Sequence, residues 1–498
     1  MLANLLLAGL TGILLVLIHP RFELVLLAPF ALTPLLLALA REWRPKYRFL
    51  LGYVAGAVFW GGMCYWIRYV IAVHGGIGYA GGTAIFVLFC FTPAVNMAFF
   101  GLLAGIVIQR AYAIPILACM WVAVERIPTP FNFMWLKLGD AGINMGVPIR
   151  VAPYAGVYGL SFFFALMSAA LAWVMLKRPR RDLLWLILVV VPFALPPLPD
   201  QVKSTDSAVT VQPNIPEEKD WTRTDVDTLH ERLSYLSMQA YMSAPGKVSL
   251  ILWPEAPAPL YYYDDPQFRD YVSRLARAMQ ATIVVSTVAH SVKGDPMNSA
   301  VAISPTGDIM GRYDKIYPVP FGEYVPAPFG GLAGKVTDQI GDFAPGERVS
   351  IMRGGVGTFI CYESAFPQLI RQFAAAGATV YANLSNDGYF GRSAAREQHL
   401  ALVRMRAVEN RRYILRSTND GITASIDPAG RVLQTLPMYV ETSGRLPFSH
   451  VTSTTVYTRY GDWFAWMCVG ISAVGVLLSQ LPHYQKAPVP NRGPKSDS

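Results

Sequence analysis

The chain has 498 residues, of which 53% are hydrophobic and only 15% charged, and its mean hydropathy of +0.34 lies outside the range of an ordinary soluble protein. A formal charge of +9 would suit a nucleic-acid binder, but many Lys and Arg residues stand in short loops beside apolar stretches, where membrane topology and anionic lipid account for them. Nucleic acid is therefore set aside as a partner, and a lipid bilayer is the expected one.

Apolar stretches run from Leu2 to Ile18, Leu24 to Ala40, Leu50 to Ile67, Ala84 to Ile108, Ala111 to Val124, Val151 to Leu176, Leu183 to Leu198 and, after a long gap, Trp463 to Leu481. A bilayer core takes about 20 helical residues, so these stretches predict about eight transmembrane helices, with a bundle of seven over residues 1–198 and the last over 461–482. The first stretch has neither a positive leader nor a small-residue cleavage site and reads as a retained helix. Arg41, Arg44, Lys46 and Arg48 follow the second stretch, and Lys177, Arg178, Arg180 and Arg181 follow the sixth, which sets those loops on the cytoplasmic side. The tail 483–498, with Lys486, Arg492 and Lys495, agrees, and the large segment between the last two spans is expected outside the cytoplasmic membrane.

Over residues 199–460 the composition shifts to charged residues and turn signals in a length suited to one domain. Short β-rich runs at Ala208 to Gln212, Ser249 to Trp253, Thr282 to Val288, Val356 to Ile360, Thr379 to Leu384 and Ile422 to Ile426 alternate with helical patterns at Asp225 to Met242, Phe268 to Met279, Phe366 to Ala376 and Ala394 to Glu409. The fold class is α/β or α+β. The aromatic cluster Tyr261-Tyr262-Tyr263 and the run Phe321 to Phe329 are candidates for interfacial contact, and packed loops explain them equally well.

Cys64, Cys90, Cys119 and Cys468 fall in apolar spans and read as small buried side chains. Cys361 stands alone in the extracytoplasmic domain, so an intradomain disulfide is excluded, and no CxxC or Cys/His cluster suggests metal. A lone buried thiol is one reading. The other follows from position: Cys361 ends the run Gly357-Thr358-Phe359-Ile360 and precedes a helical pattern, a strand-to-helix corner whose N–H groups suit an oxyanion. A thiol with an ordinary pKa near 8.5 needs a base and a cation to react. Glu255, just past the strand-like Ile251-Leu252-Trp253, and Lys315, after Gly311-Arg312-Tyr313-Asp314, supply them. Taken singly, each also reads as a cap or a solvated charge.

Together, Trp253-Pro254-Glu255, Tyr313-Asp314-Lys315 and Cys361-Tyr362-Glu363 resemble the Glu-Lys-Cys motifs of the nitrilase superfamily. Within it the chain is similar to the apolipoprotein N-acyltransferase family over nearly its whole length. Further motifs carry that resemblance: Val211-Gln212-Pro213-Asn214-Ile215-Pro216, Val319-Pro320-Phe321-Gly322-Glu323-Tyr324-Val325-Pro326, Ser385 to Gly391, and Arg416 to Thr423. The resemblance implies an αββα sandwich inserted before the last helix of an approximately eight-helix bundle, in the bacterial inner membrane with the catalytic domain periplasmic. It implies catalysis by Glu255, Lys315 and Cys361, a second essential carboxylate at Glu323, and Trp221, Tyr362 and Glu363 lining or gating the entrance. The implied reaction passes an acyl group from a phospholipid, through a thioester on Cys361, to the N-terminal amine of a diacylglyceryl-cysteine apolipoprotein, with no cofactor. A membrane-tethered amidase, in which water resolves the acyl-enzyme, shares the same motifs. A transporter or lipid-binding scaffold is disfavoured by few intramembrane charges and no duplicated halves.

Overall fold

In the computed structural model, which describes residues 1–129, 132–217, 220–320, 322–324 and 343–481, the apolar stretches fold into helices of unequal length. The tail 483–498, and Phe321 with 325–329 of the aromatic run, lie outside the described residues. Leu2–Leu17, Pro45–Met63, Gly78–Val107, Ala113–Arg126, Ala152–Met175 and Trp463–Gln480 are α-helices. The second stretch is broken into a 3-10 segment, Val25–Phe30, and the helix Thr33–Arg41. The seventh is a 3-10 segment, Arg180–Val190, with one α turn, Val191–Ala194; Pro192, Pro196 and Pro197 lack the N–H that a continuing α-helix needs. By length and composition three described helices are long and apolar enough to cross a membrane, or four if Pro45–Met63 and Ile67–Val73, bent by 61°, form one span.

Backbones in the bundle approach closely where side chains vanish. A Cβ on Gly52 would lie 2.2 Å from the Met97 carbonyl oxygen, and one on Gly101 would lie 2.4 Å from that of Arg48, so Pro45–Met63 and Gly78–Val107 pack at a distance only glycine permits. Arg48, read from sequence as a loop charge, is instead buried and donates from Nε to the Glu42 carbonyl oxygen at 2.7 Å.

The remaining chain forms two six-stranded sheets. The first contains β1 (Asp206–Gln212), β2 (Leu250–Leu252), β3 (Thr282–His290), β4 (Pro296–Ile303) and β5 (Ile309–Asp314). The second contains β6 (Ile351–Met352), β7 (Val356–Ile360), β8 (Val380–Ser385), β9 (Ile414–Thr418), β10 (Ala424–Ile426) and β11 (Val432–Thr435). The last strand, β12 (Thr442–Phe448), returns to the first sheet, giving the orders β12-β1-β2-β3-β4-β5 and β11-β10-β9-β8-β7-β6. In each sheet three adjacent strands run parallel, β1-β2-β3 and β7-β8-β9, and antiparallel strands flank them. The sheets face each other through β1 and β12 against β9 and β10. Helices Arg223–Met242 and Pro266–Met279 cover the first sheet and Pro367–Ala375 and Ala395–Asn410 the second. This is an αββα sandwich. Tyr262, a candidate for interfacial contact, is buried in the first sheet's core, whereas Tyr261 is exposed.

Helix Ala395–Asn410 joins the sandwich to the bundle. Gly156 adopts φ +65° inside Ala152–Met175 and breaks its hydrogen-bond ladder. Glu409 fills the gap by accepting the Val157 N–H at 2.9 Å, while pairing with Arg406 at 2.8 Å. Gln398 accepts from Trp135 Nε1 at 2.8 Å and donates to the Met63 carbonyl at 3.2 Å.

Overpacking a tight contact costs about 1–3 kcal/mol. Gly52→Val should lower the thermal midpoint of the detergent-solubilised protein by several degrees in a fluorescence melt, whereas Gly9→Ala, with no atom within 4 Å of its added Cβ, should leave it unchanged. Equal midpoints would contradict the close packing.

Candidate active site

Glu255, Lys315 and Cys361 come from loops that leave the C-terminal ends of β2, β5 and β7. At β7 the chain turns abruptly. Cys361 takes φ +50°, a left-handed conformation that non-glycine residues adopt only when neighbours enforce it, and opens the 3-10 turn Cys361–Ala365. Glu363 is one enforcer. Its Oε2 accepts from Ile360 N at 2.8 Å, while Oε1 accepts from the Tyr313 hydroxyl at 2.6 Å and Ile316 N at 2.7 Å. One carboxylate thus ties the Cys361 corner to the Lys315 loop. Glu363, expected to line or gate the entrance, is wholly buried, and burial, only partly offset by these hydrogen bonds, pushes its pKa up to about 7.

Lys315 is 2% exposed, and an ammonium so enclosed requires anions. Nζ lies 2.8 Å from Glu323 Oε2 and 3.4 Å from Glu255 Oε1. Asn298, on β4, donates to both carboxylates, at 2.7 Å to Glu255 and 2.6 Å to Glu323. Burial works against the Lys315 charge, but Glu255, Glu323 and Cys361 outweigh it and hold its pKa above the ordinary value. Burial and then Glu255 push the Cys361 thiol up, and Lys315 pulls it part of the way back. The sulfur thus lies in the field of a carboxylate that opposes its ionisation and an ammonium that favours it. Glu323 is fastened further by Val319 N, 2.7 Å from Oε2.

The other expected residues have separate places. Tyr362 accepts the Met134 N–H at its hydroxyl, 2.7 Å away, and stacks on both Phe133 and Trp135 of the segment preceding the Ala152–Met175 helix. It also lines a cleft of about 460 Å³ with Tyr317, Pro318, Tyr324, Phe343 and Phe366. Trp221 packs on the first sheet's core and donates to the Pro257 carbonyl at 3.0 Å, in the loop that carries Glu255.

Three contributors escaped the sequence reading. Asn298 lies on β4, a strand absent from the β-rich runs read in the sequence. Glu217 accepts from Asn386 Nδ2 at 3.0 Å, and Asn386 N donates to Glu255 Oε2 at 3.0 Å; burial, with Asp420 and Glu255 nearby, pushes the Glu217 pKa up to about 8. A Cβ on Gly388 would lie 1.9 Å from Glu217 Oε1, which explains the glycine in Ser385-Asn386-Asp387-Gly388. His399 was seen only as part of a helical pattern. The quoted motifs meet here: Asn419 exchanges hydrogen bonds of 2.8 Å with both backbone groups of Ile215 and reaches Asn386 at 3.2 Å. Arg416 Nη2 grips Asp387 at 2.7 and 2.8 Å; removing one partner of such a buried pair costs about 3–5 kcal/mol. Among the described residues no group of three or more His, Cys, Asp or Glu side chains is arranged to hold a metal ion.

Comparison with known proteins covers both halves. Residues 208–450 match the carbon-nitrogen hydrolase family model and residues 11–171 the model of the apolipoprotein N-acyltransferase N-terminal domain. The chain is similar to the apolipoprotein N-acyltransferase of Geobacter metallireducens, 33% identical over 95% of each chain, and to that of Nitrosomonas europaea, 31% identical over 89% of this chain and 92% of the other. Among solved structures, a Saccharomyces cerevisiae member of the nitrilase superfamily aligns with 16% identity and a TM-score of 0.38, over 49% of this chain and 91% of that one. With relatives of that identity along nearly its full length, the chain belongs to the apolipoprotein N-acyltransferase family.

Proposed function

We propose that the chain transfers a fatty acyl group from a phospholipid to the α-amine of a diacylglyceryl-cysteine apolipoprotein, by a ping-pong route through a thioester on Cys361. The observation that carries this is the buried Lys315 ammonium shared by Glu255 and Glu323, with the Cys361 thiol under the influence of both Glu255 and Lys315. In the first half-reaction Glu255 takes the thiol proton as sulfur attacks the ester carbonyl. The oxyanion forms beside Lys315 and the N–H groups of the 3-10 turn. The ester C–O bond then breaks, Glu255 returns its proton to the departing lysophospholipid alkoxide, and the acyl group remains on sulfur. In the second, the neutral amine attacks the thioester, Glu255 accepts the amine proton, the C–S bond breaks and the proton returns to Cys361. Glu323 keeps Lys315 charged and placed; Tyr362 and Trp221 support the lipid-facing wall and the Glu255 loop, and Glu363 holds the corner.

The same reading assigns residues 1–198 to a membrane bundle, 199–460 to a periplasmic catalytic domain, 461–482 to the last span and 483–498 to a cytoplasmic tail, in a bacterial inner membrane. Eight crossings are compatible with the broken segments. A 3-10 helix rises about 2 Å per residue, so the stretch Arg180–Val190 extends about 22 Å before the following turn, against a bilayer core of about 30 Å. Donor and acceptor both carry acyl chains, and a sandwich fastened to helices by Glu409 and Gln398 meets them without extracting them.

Beyond the one equivalent per enzyme released as the thioester forms, lysophospholipid release should depend on a diacylglyceryl lipopeptide and match the amide formed, mole for mole. Glu255→Gln and Lys315→Met should each slow it about 10³-fold, the scale of a lost general base or oxyanion donor. Release that proceeds equally without peptide would point to the amidase instead. A second expectation concerns pH. Because the folded Glu363 pKa stands near 7 against an ordinary 4.5, its stabilising contribution is complete below pH 4.5 and is lost as pH rises through 7. The melting midpoint of wild type minus that of Glu363→Gln should therefore fall from pH 5 to 7.5; a flat difference would contradict the burial of that carboxyl.

A further inference from the structure

Cys361 sits in a left-handed conformation, and Glu363 holds only the residues around it. The Cys361 peptide group itself has a separate partner. His399, fully buried in Ala395–Asn410, places Nε2 3.0 Å from the Cys361 carbonyl oxygen. A carbonyl only accepts, so Nε2 is the donor. The imidazole is fixed from behind: Nδ1 lies 3.0 Å from Asp387 Oδ1 and 3.2 Å from Arg416 Nη2. Trp135 and Phe390 pack on its ring at 6.0 and 5.8 Å. One strand, the loop after β8, one helix and the bundle-side segment thus converge on the imidazole that holds this one carbonyl.

The consequence lies across the peptide bond. In a trans peptide the carbonyl and the following N–H point in opposite directions, and the Cys361–Tyr362 bond is trans. Tyr362 is the second residue of the 3-10 turn Cys361–Ala365, in its first turn, where N–H groups lack an intrahelical acceptor. We infer that His399 is a positioning residue for acyl transfer: by holding the Cys361 carbonyl it aims the Tyr362 N–H at the oxyanion formed on the acyl carbon. The inference rests on the acyl-transfer reading above. Glu363 and the Tyr362 hydroxyl hold the flanks of this peptide, and His399 holds its carbonyl.

The test uses the full-length protein in vesicles of phosphatidylethanolamine and phosphatidylglycerol, with wild type, His399→Met, His399→Gln and His399→Asn. Two rates are measured at Cys361 by peptide-resolved mass spectrometry: acylation from the lipid, and alkylation by iodoacetamide. Acylation passes through an oxyanion; alkylation needs only the thiolate and generates none. Loss of one oxyanion donor costs about 10²-fold or more. His399→Met and His399→Asn should therefore acylate about 100-fold more slowly while alkylating within threefold of wild type. His399→Gln, whose amide N–H reaches the position of Nε2, should recover at least tenfold of the loss. Wild-type acylation in the Met and Asn variants would overturn the inference, as would acylation and alkylation falling together in Gln and Asn alike. If the Met variant does not fold, the Gln and Asn pair decides by the same criteria. Absence of any acyl adduct on wild type would instead overturn the acyl-transfer reading, and the inference with it.

Discussion

A buried ammonium that must keep its charge organises the sandwich around Lys315. Enclosed in protein, Nζ is tolerable only because Glu323 and Glu255 lie within 2.8 and 3.4 Å, and those carboxylates are themselves held by Asn298, Val319 N and Asn386 N. Each of these comes from a different loop or strand. The charge cannot be accommodated unless both sheets close correctly, so the requirement that makes the site reactive also makes it a test of the fold.

The Cys361 corner is a second constraint, solved by the same device of buried polar bonds that cross between layers. Glu363 ties β7 to the loop after β5, and His399 ties the corner to the helix that docks on the bundle. Because Glu409 and Gln398 on that helix also bind Val157 N and the Met63 carbonyl, the corner, the docking helix and the bundle form one continuous hydrogen-bonded body. Tyr362 adds a direct strut to Met134. In the proposed transfer between two lipid-anchored molecules, a Cys361 nucleophile fixed relative to the bundle helices removes a degree of freedom that would otherwise have to be ordered at every encounter.

Much of this was legible before the structure. The strand runs ending near Glu255 and Cys361 and the four sandwich helices fall where apolar periodicity put them, since their buried faces are simple. What escaped did so for physical reasons. Strand β9 carries Arg416, Ser417 and Thr418, all fully buried, so it offers no long apolar run and is absent from the β-rich runs read in the sequence. Asn298 and Glu217 matter through neighbours far away in sequence, which periodicity does not encode. The Leu183 to Leu198 stretch has the apolar content of a helix but ends in prolines that a continuing α-helix does not accommodate, and Arg48 has the composition of a loop charge but a carbonyl to satisfy. Glu363, expected to line or gate the entrance, is a clasp whose two oxygens serve two loops.

The central claim is that acyl transfer passes through Cys361, and intact-mass analysis of the purified protein tests it most directly. Wild type incubated with phospholipid alone should gain one acyl mass that hydroxylamine removes, Cys361→Ala should gain none, and a diacylglyceryl lipopeptide added afterwards should discharge the adduct to its own amine. An active preparation in which Cys361→Ala acylates the peptide as fast as wild type would contradict the account.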